Sequence, residues 1–388
     1  MRNLLWPVLL LLLAVVLRSE FFFYLLYAVG GLLLLGSLWL RLGMRQLRWR
    51  RVAPSAAFPG EQVQIAIELE NRGLLPLPWL SLHESLPPAL HTPPMIREVL
   101  SLDPGERRTI GYSVSSARRG YYTIGPLAIQ TGDVLGLGER GMTAPQVDAI
   151  TIYPRVVPLD ELFLPAALPF GTIVAPRSLF SDPSRPAGTR PYQPSDGVRR
   201  VDWKNSARTG ELLIRRQQPA IAMDTLIALA FALPEYDAQF RYDTMERALI
   251  AAASIAAHLH AFGQPVGLVA SGHDQGAEVP AGDESAGAAV AIGTGRAHLT
   301  LLLGVLGRLA PASQSGLMPL LRTASARLGW GGTLVVIGGQ AATTLLPELL
   351  ALRRRGLQVA LVLAAPTPED LALARRHGVT ALALRDVV

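Results

Sequence analysis

The acids and bases that stand close enough in sequence to share chemistry lie between Gly188 and Pro219, in GTRPYQPSDGVRRVDWKNSARTGELLIRRQQP. Asp196, Asp202 and Lys204 supply two carboxylates and an amine. A phosphate-ester hydrolase could use that set if burial shifted their pKa values in a cleft. The same segment, with its arginines and Trp203, suits a docking surface for an acidic partner. It also suits a latch tying two domains together, with Trp203 buried and the ions paired internally. Ser195 or Asp196 is placed to cap a short helix over Gly197 to Ala207, which Thr209–Gly210 would end. On that helix Asp196 and Arg200 are four apart, and Arg199 and Asp202 three apart, spacings at which helical side chains meet. Internal pairing favours the latch, although one segment could serve both ends. Leu212 to Gln217 then reads as a strand with Arg215 and Arg216 on opposite faces.

Elsewhere the sequence offers little chemistry. It contains no cysteine, which removes disulfides, thiolate metal sites and cysteine nucleophiles. There is no phosphate-binding G-x-x-x-x-G-K-[ST], no G-x-S-x-G and no H-E-x-x-H. GTGRAH at Gly293 fails the dinucleotide fingerprint at His298. His258 and His260 are two apart on a helix and point away from each other. The expected function is therefore non-enzymatic, with no cofactor and no metal.

The chain carries 36 Lys and Arg residues for a net charge of +6, and its one lysine is Lys204. Arg41 to Arg51 holds five arginines and no acid; Arg177 to Arg216 holds nine bases and four acids. Each cluster nets +5, so the remainder is mildly acidic. Two local clusters are not the broad basic face that nucleic acid requires, and no nucleic-acid partner is expected.

The elements that must position these residues follow from hydropathy. Leu4 to Leu17 and Phe21 to Leu40 are apolar runs separated only by Arg18, Ser19 and Glu20, which reads as a transmembrane hairpin. Trp6, Trp39 and Trp49 lie near its ends, where amphipathic rings favour the interface. The arginines that follow should stay cytoplasmic, which places the N-terminus and the C-terminal domains in the cytosol at the inner membrane. From residue 52 the period becomes two, as in EQVQIAIELENRG, and short strands continue through RRTIGYSVSS, GYYTIGPLAIQ and VDAITIYP. About 100 residues of this pattern suggest an immunoglobulin-like antiparallel β-sandwich. Beyond the charged segment, apolar strands such as LIALAFAL alternate with helices, including Asp243 to His260 with a capping box at Asp243 and Glu246. That is an α/β domain with a mostly parallel sheet. Gly276 to Gly295 reads as a flexible excursion within it. The expected organisation is multidomain: a transmembrane hairpin and basic juxtamembrane segment at 1–51, a β-sandwich at 52–158, a linker and signature segment at 159–217, and the α/β domain at 218–388.

At the charged segment the sequence resembles the domain-of-unknown-function 58 family, whose pattern is roughly G-x-R-x-Y-x-P-G-D-x-x-R-x-I-x-W-K-x-x-A-R-x-G-x-L. Gly188, Arg190, Tyr192, Pro194, Asp196, Arg200, Trp203, Lys204, Ala207, Arg208, Gly210 and Leu212 match it, while Ser195 replaces the usual Gly and Val201 the usual Ile. Upstream, RRGYYTIGPLAIQTGDVLGLGER looks like a second family segment, with Val134 and Leu135 in place of Pro-Phe. The resemblance implies a von Willebrand factor A-like C-terminal domain in a membrane-anchored adaptor. It also implies a MoxR-type AAA+ ATPase and a transglutaminase-like membrane protein as partners. Domains of that kind often bind Mg²⁺ through D-x-S-x-S after the first strand, because hard cations need oxygen ligands. Here Ala230, Ala232 and Pro234 stand at those positions, Asp224 lies at the wrong end of the strand, and Glu235 and Asp237 read as solvated loop acids. No metal is expected.

Overall fold

A computed structural model describes residues 20–90, 95–132, 139–162, 164, 172–174, 186–192, 201–217, 220–222, 224–277, 287–314, 316–339 and 342–384. The chain divides into two units, Met1–Tyr153 and Pro154–Val388. The first apolar run, Leu4 to Leu17, lies outside the described residues.

Among the described residues of the first unit, one helix, α1 (Glu20–Gln46), contains the second apolar run and is long and apolar enough to cross a membrane. It passes without an intervening residue into strand β1 (Leu47–Val52). The arginines from Arg48 to Arg51, read from sequence as juxtamembrane, are thus strand residues. The remaining strands are β2 (Ala56–Ala57), β3 (Val63–Asn71), β4 (Leu77–Ser85), β5 (Met95–Leu102), β6 (Arg107–Val114), β7 (Gly120–Ile124), β8 (Leu127–Gly132), β9 (Glu139–Ala144) and β10 (Asp148–Ile152). They form sheets ordered β1-β3-β6, β2-β10-β7 and β5-β4-β8-β9. All pairings are antiparallel except β2 with β10. The alternation along β3 buries Ile67 and Leu69 with inward residues of β4 and β8, such as Leu82 and Ile129, and Val63 and Ile65 with Val114, Ile124 and Ile150 of β6, β7 and β10. GYYTIGPLAIQ, one pattern in sequence, splits into β7 and β8 in different sheets.

The end of α1 is packed into this sandwich. Met44 joins the core with Leu47, Leu69 and Leu77, and Leu40 is also buried. A Cβ at Gly43 would stand 2.7 Å from Leu77 Cδ2, so a larger residue there would have to displace the end of that buried side chain. Nearby, the Arg51 guanidinium is enclosed between Glu84, at 2.6 Å, and Asp148. Burial, then the Glu84 charge, pushes the neighbouring Tyr112 hydroxyl far above its ordinary pKa.

The second unit adds β11 (Thr172–Val174), β12 (Pro186–Pro191), helix α2 (Trp203–Thr209), β13 (Leu213–Gln217) and β14 (Ala220–Ala222). Its main sheet uses β15 (Thr225–Leu229), β16 (Val266–Ala270), β18 (Ala288–Gly293), β20 (Thr333–Gly338), β21 (Gln358–Leu363) and β22 (Thr380–Ala383), with a small pair of β17 (His273–Asp274) and β19 (Leu309–Ala310) beside it. The order is β18-β16-β15-β20-β21-β22, parallel except for the edge strand β18. Helices α3 (Arg241–Ala261), α4 (Arg296–Arg308), α5 (Leu317–Ser325), α6 (Ala342–Arg354) and α7 (Pro368–Arg376) accompany it. Leu226, Ala228, Leu334 and Val336 pack against Leu321, Leu346 and Leu349 of α5 and α6.

Two sequence expectations change here. Helix α3 begins at Arg241, with Phe240 as its cap residue, because the Thr244 amide and hydroxyl both bond to the Phe240 carbonyl; the Asp243–Glu246 capping box is not used. Part of the Gly/Ala-rich stretch read as an excursion is strand β18, and residues 278–286 lie outside the described residues. On the facing strand β16 a Cβ at Gly267 would meet Ile292 of β18 at 2.8 Å, so the bare glycine makes room for that side chain.

The Arg51 cluster makes a direct prediction. Glu84→Ala would leave a buried guanidinium short of its main partner and should cost about 3–5 kcal/mol. Replacing both members, as in Arg51→Met with Glu84→Leu, should cost less than Glu84→Ala alone. Denaturant unfolding followed by circular dichroism checks the ranking.

Candidate functional site

The signature segment is a strand–helix–strand unit. Strands β12 and β13 pair antiparallel, with Arg190 opposite Ile214, and Gly188 lies within a register shift between Pro186 and Thr189. The Tyr192 amide donates to the Leu212 carbonyl and the Asp202 amide to the Leu213 carbonyl, so Tyr192 and Asp202 are both tied to the start of β13. Helix α2 is capped by Asp202, whose carboxylate accepts from the Asn205 amide at 3.3 Å and from Asn205 Nδ2 at 3.1 Å. Its far end closes on Gly210 in the left-handed conformation, as Thr209–Gly210 implied. Ser206 faces inward and accepts from the Leu213 amide at 2.8 Å, which fastens the helix to β13.

This geometry corrects two expectations. The cap of the described helix is Asp202, one residue before Trp203, and the helix starts there rather than near Gly197. Trp203 is 62% exposed, not buried as an internal latch would have it. Lys204 and Arg208 are exposed on the same short helix. Asp202 itself is buried, and its visible task is to hold the first turn of α2. Pro194, Asp196 and Arg200, with Ser195 and Arg199, lie outside the described residues. The ion pairs expected from Asp196–Arg200 and Arg199–Asp202 therefore fall there too.

The second place to look is the carboxyl edge of the parallel sheet. There β15 and β20 lie side by side while the chain leaves β15 for β16 on the other flank, the arrangement that opens a ligand crevice in such sheets. In this chain the crevice is filled from within. A single turn, Leu233–Glu235, follows β15 and turns the next side chains back over the strand ends. Tyr236 is buried and donates its hydroxyl to the Ala230 carbonyl at 2.6 Å. A Cβ at Gly339, just past β20, would stand 2.3 Å from the Tyr236 ring, so the ring lies flush on bare backbone. Desolvation, then the neighbouring Glu235 charge, drives the Tyr236 pKa well above its ordinary value, so this hydroxyl stays a donor.

Glu235 is not the solvated acid expected from sequence. Its Oε2 accepts from the Ala232 amide at 3.0 Å and from Ser271 Oγ at 3.2 Å, and Ser271 Oγ in turn accepts from the Phe231 amide at 2.6 Å. Asp237 is exposed and bonds only locally, to the Gln239 amide. Tyr236, Ser271 and Gly339 were not singled out from sequence. The one available signal was Gly338–Gly339 after an apolar strand, which marks a close approach to backbone. His258 lies near the end of α3, its ring 4.8 Å from that of Phe262.

These residues do not fit the divalent cation of a von Willebrand A-like site. Ala230, Ala232 and Pro234 carry no side-chain oxygen, the Ala230 carbonyl is taken by Tyr236, and Glu235 and Ser271 are spent on backbone amides.

Fold and site define an α/β unit with a self-filled sheet edge, preceded by a strand–helix–strand segment that presents a tryptophan and two bases. The family described as protein of unknown function DUF58 matches residues 188–382, slightly over half of the sequence, and the chain belongs to that family. A curated relative, the uncharacterized protein YeaD of Bacillus subtilis (strain 168), is 22% identical over 232 residues, covering 58% of this chain and 56% of that protein. The match thus spans little more than half the length of that relative. Among solved structures, the CARDB domain of a Pyrococcus furiosus protein, in complex with di-metal ions, is 13% identical, with a TM-score of 0.20 over 27% of this chain and 87% of that one. A beta-glucosidase from Listeria innocua, in complex with gluconolactone, is 11% identical, with a TM-score of 0.19 over 29% of this chain and 16% of that one.

Millimolar Mg²⁺ should produce no saturable rise in melting temperature of the full chain in detergent, since Mg²⁺ bound to protein needs carboxylate anchors that this edge withholds. A rise abolished by Asp237→Ala would mean that the exposed acid recruits a cation after all.

Proposed function

We infer that the chain is a non-enzymatic, membrane-anchored adaptor whose signature segment docks a protein partner. The observation that carries this reading is the exposure of Trp203 beside Lys204 and Arg208 on a helix whose internal polar groups are already satisfied. Exposed tryptophan flanked by cations is the composition of an interface anchor. The filled sheet edge adds support, because it leaves the usual ligand crevice of an α/β unit without room or free ligands. The finer architecture belongs to the same proposal: a two-span hairpin, an immunoglobulin-like sandwich, and a von Willebrand A-like unit that recognises its partner without metal. The family resemblance nominates a MoxR-type AAA+ ATPase as the first partner to try, with a transglutaminase-like membrane protein as a second component.

Two experiments test it. In capture of a MoxR-type AAA+ ATPase by the detergent-solubilised full chain, Trp203→Ala and Arg208→Glu should each weaken binding by at least about tenfold, as loss of an interface anchor does, with melting temperature unchanged. Unfolding of either variant would instead favour the latch. For orientation, protease added outside spheroplasts should leave the units intact, as expected if the Arg41 to Arg51 run is cytoplasmic. Cleavage from outside would invert the topology and remove cytosolic ATPases as partners.

A further inference from the structure

The loop between β3 and β4, Arg72 to Pro76, runs alongside the last two turns of α1. At one end the Arg72 amide donates to the Gln46 carbonyl at 3.1 Å. At the other, Trp39 Nε1 donates to the Pro76 carbonyl at 3.0 Å. Seven residues of helix separate these two attachments, about 10 Å along the axis. The loop therefore climbs from the foot of the helix towards the apolar stretch. Its tip, Leu74, is 93% exposed, the most exposed of the large apolar side chains described.

Depth follows from helix geometry. Phe21 to Leu40 covers about 30 Å, the thickness of a hydrocarbon core. Trp39 then stands at the boundary, where its ring is half in water and its indole N–H needs an acceptor; the Pro76 carbonyl is that acceptor. The headgroup layer extends several ångström further on each side. Leu74 sits between the levels of Trp39 and Gln46, inside that layer. On the same two turns Arg41 and Arg45 are exposed, with no carboxylate in ion-pair range among the described residues. Arginines at this height meet lipid phosphates. Arg72 differs, since its charge is balanced by Glu70 at 2.9 Å.

We propose that the Arg72–Pro76 loop is a second membrane contact, with Leu74 inserted into the interfacial layer of the bilayer that α1 crosses. This rests on reading α1 as a span. The occupant is lipid because the loop is hydrogen-bonded along the end of the helix and held at its boundary level by Trp39. Together with the buried Met44 and the glycine contact at Gly43, the loop would fix the tilt of the sandwich on the membrane rather than leave it swinging on one helix.

The absence of cysteine makes the test clean. Single variants Leu74→Cys, Leu34→Cys and Gln62→Cys of the full chain would carry an environment-sensitive fluorophore in phosphatidylcholine–phosphatidylglycerol vesicles, with or without brominated acyl chains. Leu34 reports the span, and Gln62 reports the far end of β3, just before Val63 and roughly 30 Å from Asn71 at the rise of a strand. Leu74 is so exposed that its replacement should not disturb folding. The expected result is blue-shifted emission and loss of intensity in brominated vesicles at positions 34 and 74, and neither at 62. Quenching at 34 with position 74 behaving like 62 would overturn the loop contact while leaving the span. No quenching at 34 would remove the span and the proposal with it. A blue shift at 74 that persists in detergent and resists brominated lipid would assign the loop to a second copy of the chain and refute lipid insertion.

Discussion

Between Gln46 and Leu47 a helix of membrane-spanning length becomes a sheet strand with no residue to spare. Much of the first unit depends on that junction. A strand must pair along its whole length, so β1 commits six residues to β3 as soon as the helix ends. The helix end is then drawn against the sandwich, where Gly43 lies close to the Leu77 side chain and Met44 joins the apolar core. The same commitment carries Arg51 inward, where a guanidinium survives only with Glu84 and Asp148 around it. Anchor and sandwich are one body, not a domain on a tether.

In the second unit the governing constraint is the unfilled space that a parallel sheet leaves at its switch point. Enzymes with this architecture keep that space for ligand. Here a proline-bearing turn folds Tyr236 and Glu235 into it and satisfies the strand-end amides and carbonyls from within. Helix α2, by contrast, buries Asp202 and Ser206 at its inner side and leaves Trp203, Lys204 and Arg208 exposed.

Sequence patterns carried much of this, for physical reasons that differ by element. The alternation at Val63, Ile65, Ile67 and Leu69 was legible because one face of β3 is buried and the other wet. The run at Leu226 to Leu229 was legible because β15 is covered on both faces. Strand β18 was hidden, since the Ala and Gly residues that let it lie close to β16 also look like a linker. Asp202 was hidden as a cap because Ser195 and Asp196 offered equally good chemistry a few residues earlier. The exposure of Trp203 and the inward turn of Glu235 are tertiary facts; a local pattern contains only the residue types.

The two basic clusters show how far composition can mislead. Their charge accounts for the high isoelectric point, yet the structure divides each between different tasks. In the first cluster Arg51 is consumed by the sandwich, while Arg48 and Arg50 face Glu70 and Glu68 across the strand pair. Arg41 and Arg45 are exposed on the helix. In the second cluster the described cations that remain outward are Lys204 and Arg208, set around one tryptophan. Nucleic acid would need charge spread over a continuous face so that many phosphates are met at once. The described residues instead present small groups of exposed cations, Arg41 and Arg45 near Trp39 and Lys204 and Arg208 near Trp203.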